Sequence, residues 1–279
     1  MSDYNINNMA FCTFGPSGCK SEVKSRFAAK QWTTREFLTT PAMKTALLKC
    51  AVAFLARLVL GVCLVPGSAS AVYFFVDSTE DSTDANPGDG ICADTSANCT
   101  LRAAVMEANA FAGADTIYLG QGTYRLAIPG NAEHAAATGD LDVLDTLTIN
   151  GINATSTIID AGGIDRAFEL INAGPVTMSR LTIQNGIAGR NTPGYGVDFA
   201  GGGIFNVGNT SSLMLNEVVI RNNSARTGGG LFNIFSSMTV ANSAIYDNTA
   251  TAGNGGGIGE GIGGYVEIYN STLSGNSAT

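Results

Sequence analysis

The chain of 279 residues is poor in the side chains on which most enzyme chemistry depends. It holds one histidine, His134, and one tryptophan, Trp32, and from Val72 onward it has no lysine. Charged residues make up only 14% of the whole; from Val72 they are 7 Arg against 20 acidic residues, a net charge of −13. Such a surface repels phosphate at long range, which excludes nucleic acid as an expected partner. There is no Gly-x-Ser-x-Gly elbow for a hydrolase nucleophile and no Cys/His spacing for zinc. His134 sits between Glu133 and a run of alanines and reads as a loop residue without a partner. Within the last 79 residues no stretch carries helical apolar spacing over three turns.

What those residues do carry is repetition. Gly-Gly-Gly triplets begin at Gly201, Gly228 and Gly255, 27 residues apart each time. Each opens a similar phrase of short β-type runs (Leu213-Met214-Leu215, Met238-Thr239-Val240, Val266-Glu267-Ile268) separated by Gly, Asn and Ser. Self-similarity at this period is the mark of stacked repeats. The expected fold class is all-β, a right-handed parallel β-helix of six or seven coils, the hand following from the crossover rule for parallel strands. Ile220, Ile245 and Leu273 fall in register and predict an apolar column. Three residues later come Asn223, Asn248 and Asn276, each followed by a hydroxyl residue and Ala; these predict an internal amide ladder at a turn that tolerates left-handed backbone. The glycine triplets predict positive φ and close backbone approach at a coil corner. They lack the Lys and the strand-to-helix context of a phosphate loop, which excludes nucleotide binding. Thr279 follows directly on a repeat phrase without a capping segment, so the repeats are expected to continue beyond it.

The first 71 residues are of another kind, with 8 of the 15 basic residues and 3 of the 23 acidic ones. Residues 43–71 run from Met43-Lys44 through an apolar stretch to Ala69-Ser70-Ala71, the pattern of a secretory signal. Cleavage after Ala71 is favoured over a membrane anchor because Lys49 and Arg57 interrupt the apolar run. Residues 1–42 show no core-building pattern and read as an unstructured leader, or as sequence upstream of a true start at Met43. Cys92 and Cys99, with six residues between them, are the two cysteines after the signal and predict a local disulfide in an exported protein.

Residues 72–113 are expected to cap the first coil. Thr100 or Asn98 can start a helix running to about Ala110, with Leu101, Ala104, Val105 and Ala108 on one face, and residues 114–279 then form the repeats. An acidic tract containing Asp81, Asp84, Asp89 and Asp94 surrounds Asn86-Pro87-Gly88 and offers hard oxygen ligands for Ca²⁺, although its spacing does not match an EF-hand loop. Asp140 and Asp142 are the weak catalytic candidates: two residues apart in a strand, they would face one side, a geometry that fits either a glycosidase carboxyl pair across a cleft or a polar outer face.

The run Cys99-Thr100-Leu101-Arg102-Ala103-Ala104-Val105-Met106-Glu107-Ala108-Asn109-Ala110 resembles the CSLREA-type N-terminal domain of exported bacterial proteins, departing from it at Thr100 and Ala103. The phrases GDGICAD, ADTIYL and GTYRL fit the same family, and GGGIFN and GNSA resemble parallel β-helix repeats, including those of polymorphic outer-membrane proteins. The likeness runs from about Tyr73 to Thr279. It implies export to the medium, cell surface or outer membrane and a β-helix architecture, and little chemistry. A structural, adhesive or glycan-binding role is expected, with extracellular glycans or surface proteins as partners and membrane contact only through the signal segment. The alternative is a pectin-lyase-like polysaccharide lyase or glycoside hydrolase; the Asp-pair, Gly-His-Gly and Arg-Ile-Lys phrases of polygalacturonases are missing.

Overall fold

The computed structural model describes residues 12–15, 18–21, 70–130, 133–189 and 199–279. The chain divides into two compact units, 1–65 and 66–279. In the first, β1 (Cys12–Gly15) and β2 (Gly18–Ser21) pair antiparallel with Cys12 opposite Ser21; the rest of residues 1–42, expected as a leader or as sequence upstream of Met43, lies outside the described residues. The expected signal lies outside the described residues except for Ser70 and Ala71. Among the described residues no helix is long and apolar enough to cross a membrane.

The second unit is almost entirely parallel β-structure. It opens with β3 (Tyr73–Val76) and α1 (Leu101–Ala110), followed by β4 (Asp115–Leu119), β5 (Gly122–Arg125) and β6 (Leu141–Val143). The same three-strand phrase then recurs. It comprises β7 (Leu147–Asn150), β8 (Thr157–Asp160) and β9 (Phe168–Ile171), then β10 (Pro175–Ser179), β11 (Thr182–Gln184) and β12 (Ile204–Val207). The Gly-triplet repeats add a fourth, two-residue strand: β13 (Ser212–Asn216), β14 (Val219–Arg221), β15 (Ser224–Ala225) and β16 (Leu231–Ile234), then β17 (Ser237–Ala241), β18 (Ala244–Tyr246), β19 (Thr249–Ala250) and β20 (Ile258–Glu260). The chain closes on β21 (Tyr265–Tyr269), β22 (Thr272–Ser274) and β23 (Ser277–Ala278). Corresponding strands stack into parallel sheets of seven, six, five and three strands, the seven-stranded one ordered β21-β17-β13-β10-β7-β4-β3. Parallel neighbours need a long crossover, and here the strands of the other sheets supply it.

Alternation along each strand sends every second side chain inward, and register turns these into columns. Ile117, Ile149, Met178, Leu215 and Val240 stack in the seven-stranded sheet. Ile159, Ile183, Ile220 and Ile245 stack in the six-stranded one, as the repeats predict. Phe168, Ile204 and Leu231 do the same in the five-stranded sheet. All of them are buried, and each contributes about 1.5–3 kcal/mol of hydrophobic stabilisation.

The amide ladder forms as expected. Asn223 Nδ2 donates to Asn248 Oδ1 and Asn248 Nδ2 to Asn276 Oδ1, both at 3.0 Å. The left-handed residue, however, is the one before each ladder Asn: Asn222, Asp247 and Gly275 have φ of 56°, 53° and 63°. The ladder Asn must direct its amide along the stack, and the turn is made by its neighbour. Gly201, Gly228 and Gly255 carry the positive φ expected of the triplets. At the next glycine of the first triplet, Gly202, a Cβ would stand 2.4 Å from the Ser224 carbonyl oxygen, so only glycine lets successive coils approach.

The expected cap boundary at Gly113 is not a break in the sheet. β3 already pairs with β4, and Phe74 packs beside Ile117 in the continuous core. α1 starts at Thr100, whose hydroxyl accepts a hydrogen bond from the Ala103 N–H at 3.1 Å. Leu101, Ala104, Val105 and Ala108 are buried as predicted, but so are Arg102 and Glu107.

Candidate functional site

Asp142 is the middle residue of β6 and stands opposite Glu169 of β9. The inward places on these strands are filled by Leu141, Val143, Phe168 and Leu170, which leaves both carboxylates on the outer side of the sheet. Such groups are ordinarily solvated, yet here both are buried, with Ala136 and His134 of the segment after β5 folded against them. Arg102 fixes that covering segment. Its Nε and Nη2 reach Asp81 at 2.6 and 3.2 Å, and its remaining N–H groups bind the carbonyls of Ala136, Gly139 and Asp140. Asp81 Oδ2 in turn accepts from the N–H groups of Ala127 and Ile128.

The segment so held brings His134 over the sheet. Its Nδ1 lies 3.8 Å from Asp142 Oδ1 and 3.6 Å from Glu169 Oε2, with the side chain 58% exposed. Asp142 Oδ2 accepts a hydrogen bond from Ala136 N–H at 2.8 Å, whereas its buried Oδ1 has no hydrogen-bond partner. Arg166 flanks the group, with Nη1 3.6 Å from Glu169 Oε2, Nε 3.5 Å from Asp140 Oδ2 and its guanidinium 5.2 Å from the centre of the Phe205 ring.

Burial and crowding among like charges perturb the acids. The Asp142 carboxyl is pushed up to about 7, chiefly by burial, against the opposing hydrogen bond from Ala136; Glu169 and Glu133 raise it further and His134 lowers it. Asp140 is driven well above the ordinary carboxylate range by burial, opposed by Arg166 and reinforced by Asp165, Asp142 and Glu169. A value near 7 keeps a fraction of the Asp142 carboxyls protonated near neutrality.

The two catalytic candidates read from sequence are thus brought together, but neither is an open carboxyl flanking a groove: both are enclosed beneath the covering segment. The expectation that His134 lacks a partner is corrected, since the segment bearing it is tied down by Arg102. Glu169 and Arg166 gave no signal in the sequence, because only strand register places them beside residues about 25 positions earlier.

The expected calcium tract does not assemble. Asp81 is committed to Arg102. Asp84 accepts from the N–H groups of Asn86 and Ala93, and Asp89 from Ile91. Asp94 accepts from the Ser82 hydroxyl and from the N–H groups of Asn98 and Ser96, which hold its carboxyl down to about 2. Asp84, Asp89 and Asp94 brace their own loop and Asp81 pairs with Arg102, instead of all four converging on one point. Among the described residues the three-group gathering of metal-ligand type is His134, Asp142 and Glu169, whose donor atoms lie within 4.8 Å of one another. The Cys92–Cys99 disulfide is formed, with the Cα atoms 5.0 Å apart, and ties the acidic tract to the start of α1.

A second feature lies on the outer face of the seven-stranded sheet. Tyr73, Phe75 and Tyr118 are 60%, 69% and 37% exposed. Tyr118 stacks on Phe75 with ring centres 5.1 Å apart and on Tyr73 at 6.4 Å. Beyond these rings the same face continues through Thr116, Thr148, Thr177 and Thr239, with Met214 between the last two. A separate open cleft of ≈ 410 Å³ is lined by Arg125, Asp160, Asn185 and Asn222 among others; Asp160 there already accepts from Gln184 and Asn185. Comparison with family models, curated proteins and solved structures gives no match.

Proposed function

We propose that this chain is an exported glycan-binding scaffold, a right-handed parallel β-helix that closes as a solenoid and presents its seven-stranded face to an extracellular polysaccharide. The observation that carries the reading is the exposed, mutually stacked trio Tyr73, Phe75 and Tyr118. Exposed aromatic rings suit the apolar C–H faces of sugar rings, and the adjoining threonine hydroxyls and Asn150 suit their hydroxyl groups. Export to the medium or to the bacterial cell surface is part of the same proposal. It is supported by the signal-like residues 43–71, by the resemblance of residues 99–110 to the CSLREA-type domain, and by a disulfide, a bond favoured in oxidising compartments. The right hand follows from the crossover rule for parallel strands. The net charge of −13 from Val72 onward makes nucleic acid a poor partner, and contact with the membrane is assigned to the signal segment.

The reading is tested by pull-down on insoluble and immobilised polysaccharides with the wild type and a Tyr73→Ala, Phe75→Ala, Tyr118→Ala variant. Exposed residues tolerate such changes, so circular dichroism should be unchanged while retention falls. Retention that survives the triple change removes the aromatic face from the argument. The enzyme alternative, a polysaccharide lyase or hydrolase, is favoured by Asp142, whose carboxyl near 7 suits a general acid. Burial counts against it, because a polymer must reach both carboxyls. Depolymerisation of pectin or alginate that is lost in Asp142→Asn would establish the alternative.

A further inference from the structure

The group formed by His134, Asp142 and Glu169 has the dimensions of a metal site. Zinc binds imidazole nitrogen and carboxylate oxygen at about 2.0–2.2 Å, which sets tetrahedral donors roughly 3.4 Å apart. His134 Nδ1 lies 3.6 Å from Glu169 Oε2 and 3.8 Å from Asp142 Oδ1, and the three donor atoms fall within 4.8 Å of one another. A second observation is independent of this spacing. Asp142 is fully buried, its Oδ2 is fixed by the Ala136 N–H, and its Oδ1 faces His134 without a hydrogen-bond partner. A buried acceptor left without a donor is destabilising, more so if it is charged, and a cation between Asp142, Glu169 and His134 supplies what that oxygen lacks.

We propose that His134, Asp142 and Glu169 bind one divalent transition-metal ion of the Zn²⁺ class, with the fourth position open to water or to a partner ligand on the exposed side of His134. One imidazole and two carboxylates favour borderline cations over Ca²⁺, which takes 6–8 oxygen ligands. Arg166 is shared between Asp140 and Glu169 and lies over Phe205; its Nη1 stands 3.6 Å from the same Glu169 Oε2 that faces His134, so it offsets part of the negative charge of the group. Positioning falls to Ala136, which orients the Asp142 carboxylate, and to Arg102, whose bond to the Ala136 carbonyl holds the segment bearing the imidazole. Outer groups of this kind hold metal ligands in place.

His134 is the sole histidine of the chain, so its imidazole proton signals report on the site without overlap. The experiment titrates the oxidised, EDTA-treated full chain with Zn²⁺ alone, following those signals by NMR and the affinity by calorimetry, and repeats it on Glu169→Gln and His134→Ala. The expected result is one Zn²⁺ per chain, a shift of the His134 signals in step with binding, and affinity lowered by roughly tenfold or more in each variant. His134→Ala changes a solvent-exposed side chain, so its circular dichroism and melting should match the wild type even if Glu169→Gln is impaired in folding. Zinc that leaves the His134 signals unmoved overturns the proposal. So does zinc bound through His134 with unchanged affinity in a folded Glu169→Gln, since that describes an isolated surface imidazole.

Discussion

Replacing Asn248 by Ala tests whether the amide ladder holds the stack together or only decorates it. Asn248 is fully buried, and its side chain serves five partners. Nδ2 donates to the carbonyls of Ile220 and Tyr246 and to Asn276 Oδ1, and Oδ1 accepts from the backbone N–H and the Nδ2 of Asn223, all at 3.0 Å. Truncation leaves the buried Asn223 N–H without its acceptor, at about 1–3 kcal/mol, and forfeits further bonds worth roughly 1 kcal/mol net. The total is on the order of 2–4 kcal/mol. A paired control is Asn242→Ala, in a second ladder where Asn270 donates to Asn242 Oδ1 at 2.7 Å and Asn242 to Asn216 Oδ1 at 2.8 Å, but in solvent. Water replaces the lost partners there, so the change should stay near the cost, about 1 kcal/mol, of placing Ala at the left-handed backbone of Asn242 (φ 50°). Asn248→Asp is the sharper variant: it keeps the acceptor, loses all three donations and sets oxygen against the Asn276 oxygen. Urea unfolding followed by circular dichroism gives the differences, and amide exchange should locate the loosening at residues 220–249. Equal midpoints for Asn248→Ala and Asn242→Ala would refute the reasoning.

Thiol labelling of the non-reduced protein should find Cys92 and Cys99 blocked, and a Cys92→Ser, Cys99→Ser variant should lose about 2–3 kcal/mol by the loop-closure estimate; free labelling of both would exclude the disulfide. Arg102→Met leaves the buried Asp81 carboxylate without its cation and should cost about 3–5 kcal/mol, seen as a lower urea midpoint that Arg102→Lys does not restore, since a lysine cannot reach Asp81 and three carbonyls together. Because the folded Asp142 carboxyl is raised from 3.8 to about 7, folding takes up a proton between those values. The share of stability that Asp142 contributes in EDTA should be fully present below about pH 4 and fall by about 1.4 kcal/mol per unit as pH rises towards 7. Asp140, also raised, acts in the same direction. Asp142→Asn should flatten this slope, and a wild-type midpoint independent of pH between 4 and 8 would contradict the burial argument.

Much of the stacking was legible because repetition writes register into the sequence: aligned copies of Ile220 and of Asn223 are aligned in space. The Asn206–Asn233 pair, whose amides bond at 2.8 Å inside the five-stranded sheet, could have been found in the same way, since each closes a GGG-x-Phe-Asn phrase. The run at 99–110 is explained residue by residue in physical terms. Cys99 is crosslinked, Thr100 caps the helix, Leu101 enters the core, Arg102 ties down the covering segment, and Glu107 accepts from the N–H groups of Gly88 and Gly90. The roles of Arg102 and Glu107 were not legible, because a charged residue in a helix reads as solvated unless its distant partners are known. The site around Asp142 was half legible for the same reason: Asp140 and Asp142 are neighbours in sequence, whereas His134 and Glu169 meet them only after the sheet has formed.

The turns of this fold differ in how much length they tolerate. Between β10 and β11, β13 and β14, β17 and β18, and β21 and β22 there are two residues, the first left-handed (Arg180, Glu217, Asn242, Asn270), whereas the same corner between β7 and β8 carries six. In a two-residue turn, an added residue that does not loop out, as the longer β7–β8 connection does, would shift the next strand by one and turn its core side chains out to water. The passage into the five-stranded sheet is unconstrained: residues 126–140, 161–167 and 185–203 make that same passage in successive coils. Insertions at such a place are grafts, absorbed without disturbing what stacks above and below. His134 and Arg166 ride on two of these passages, so the chain keeps its unusual chemistry where its length is free to drift, and new specificities can be acquired there while the scaffold's pitch stays fixed.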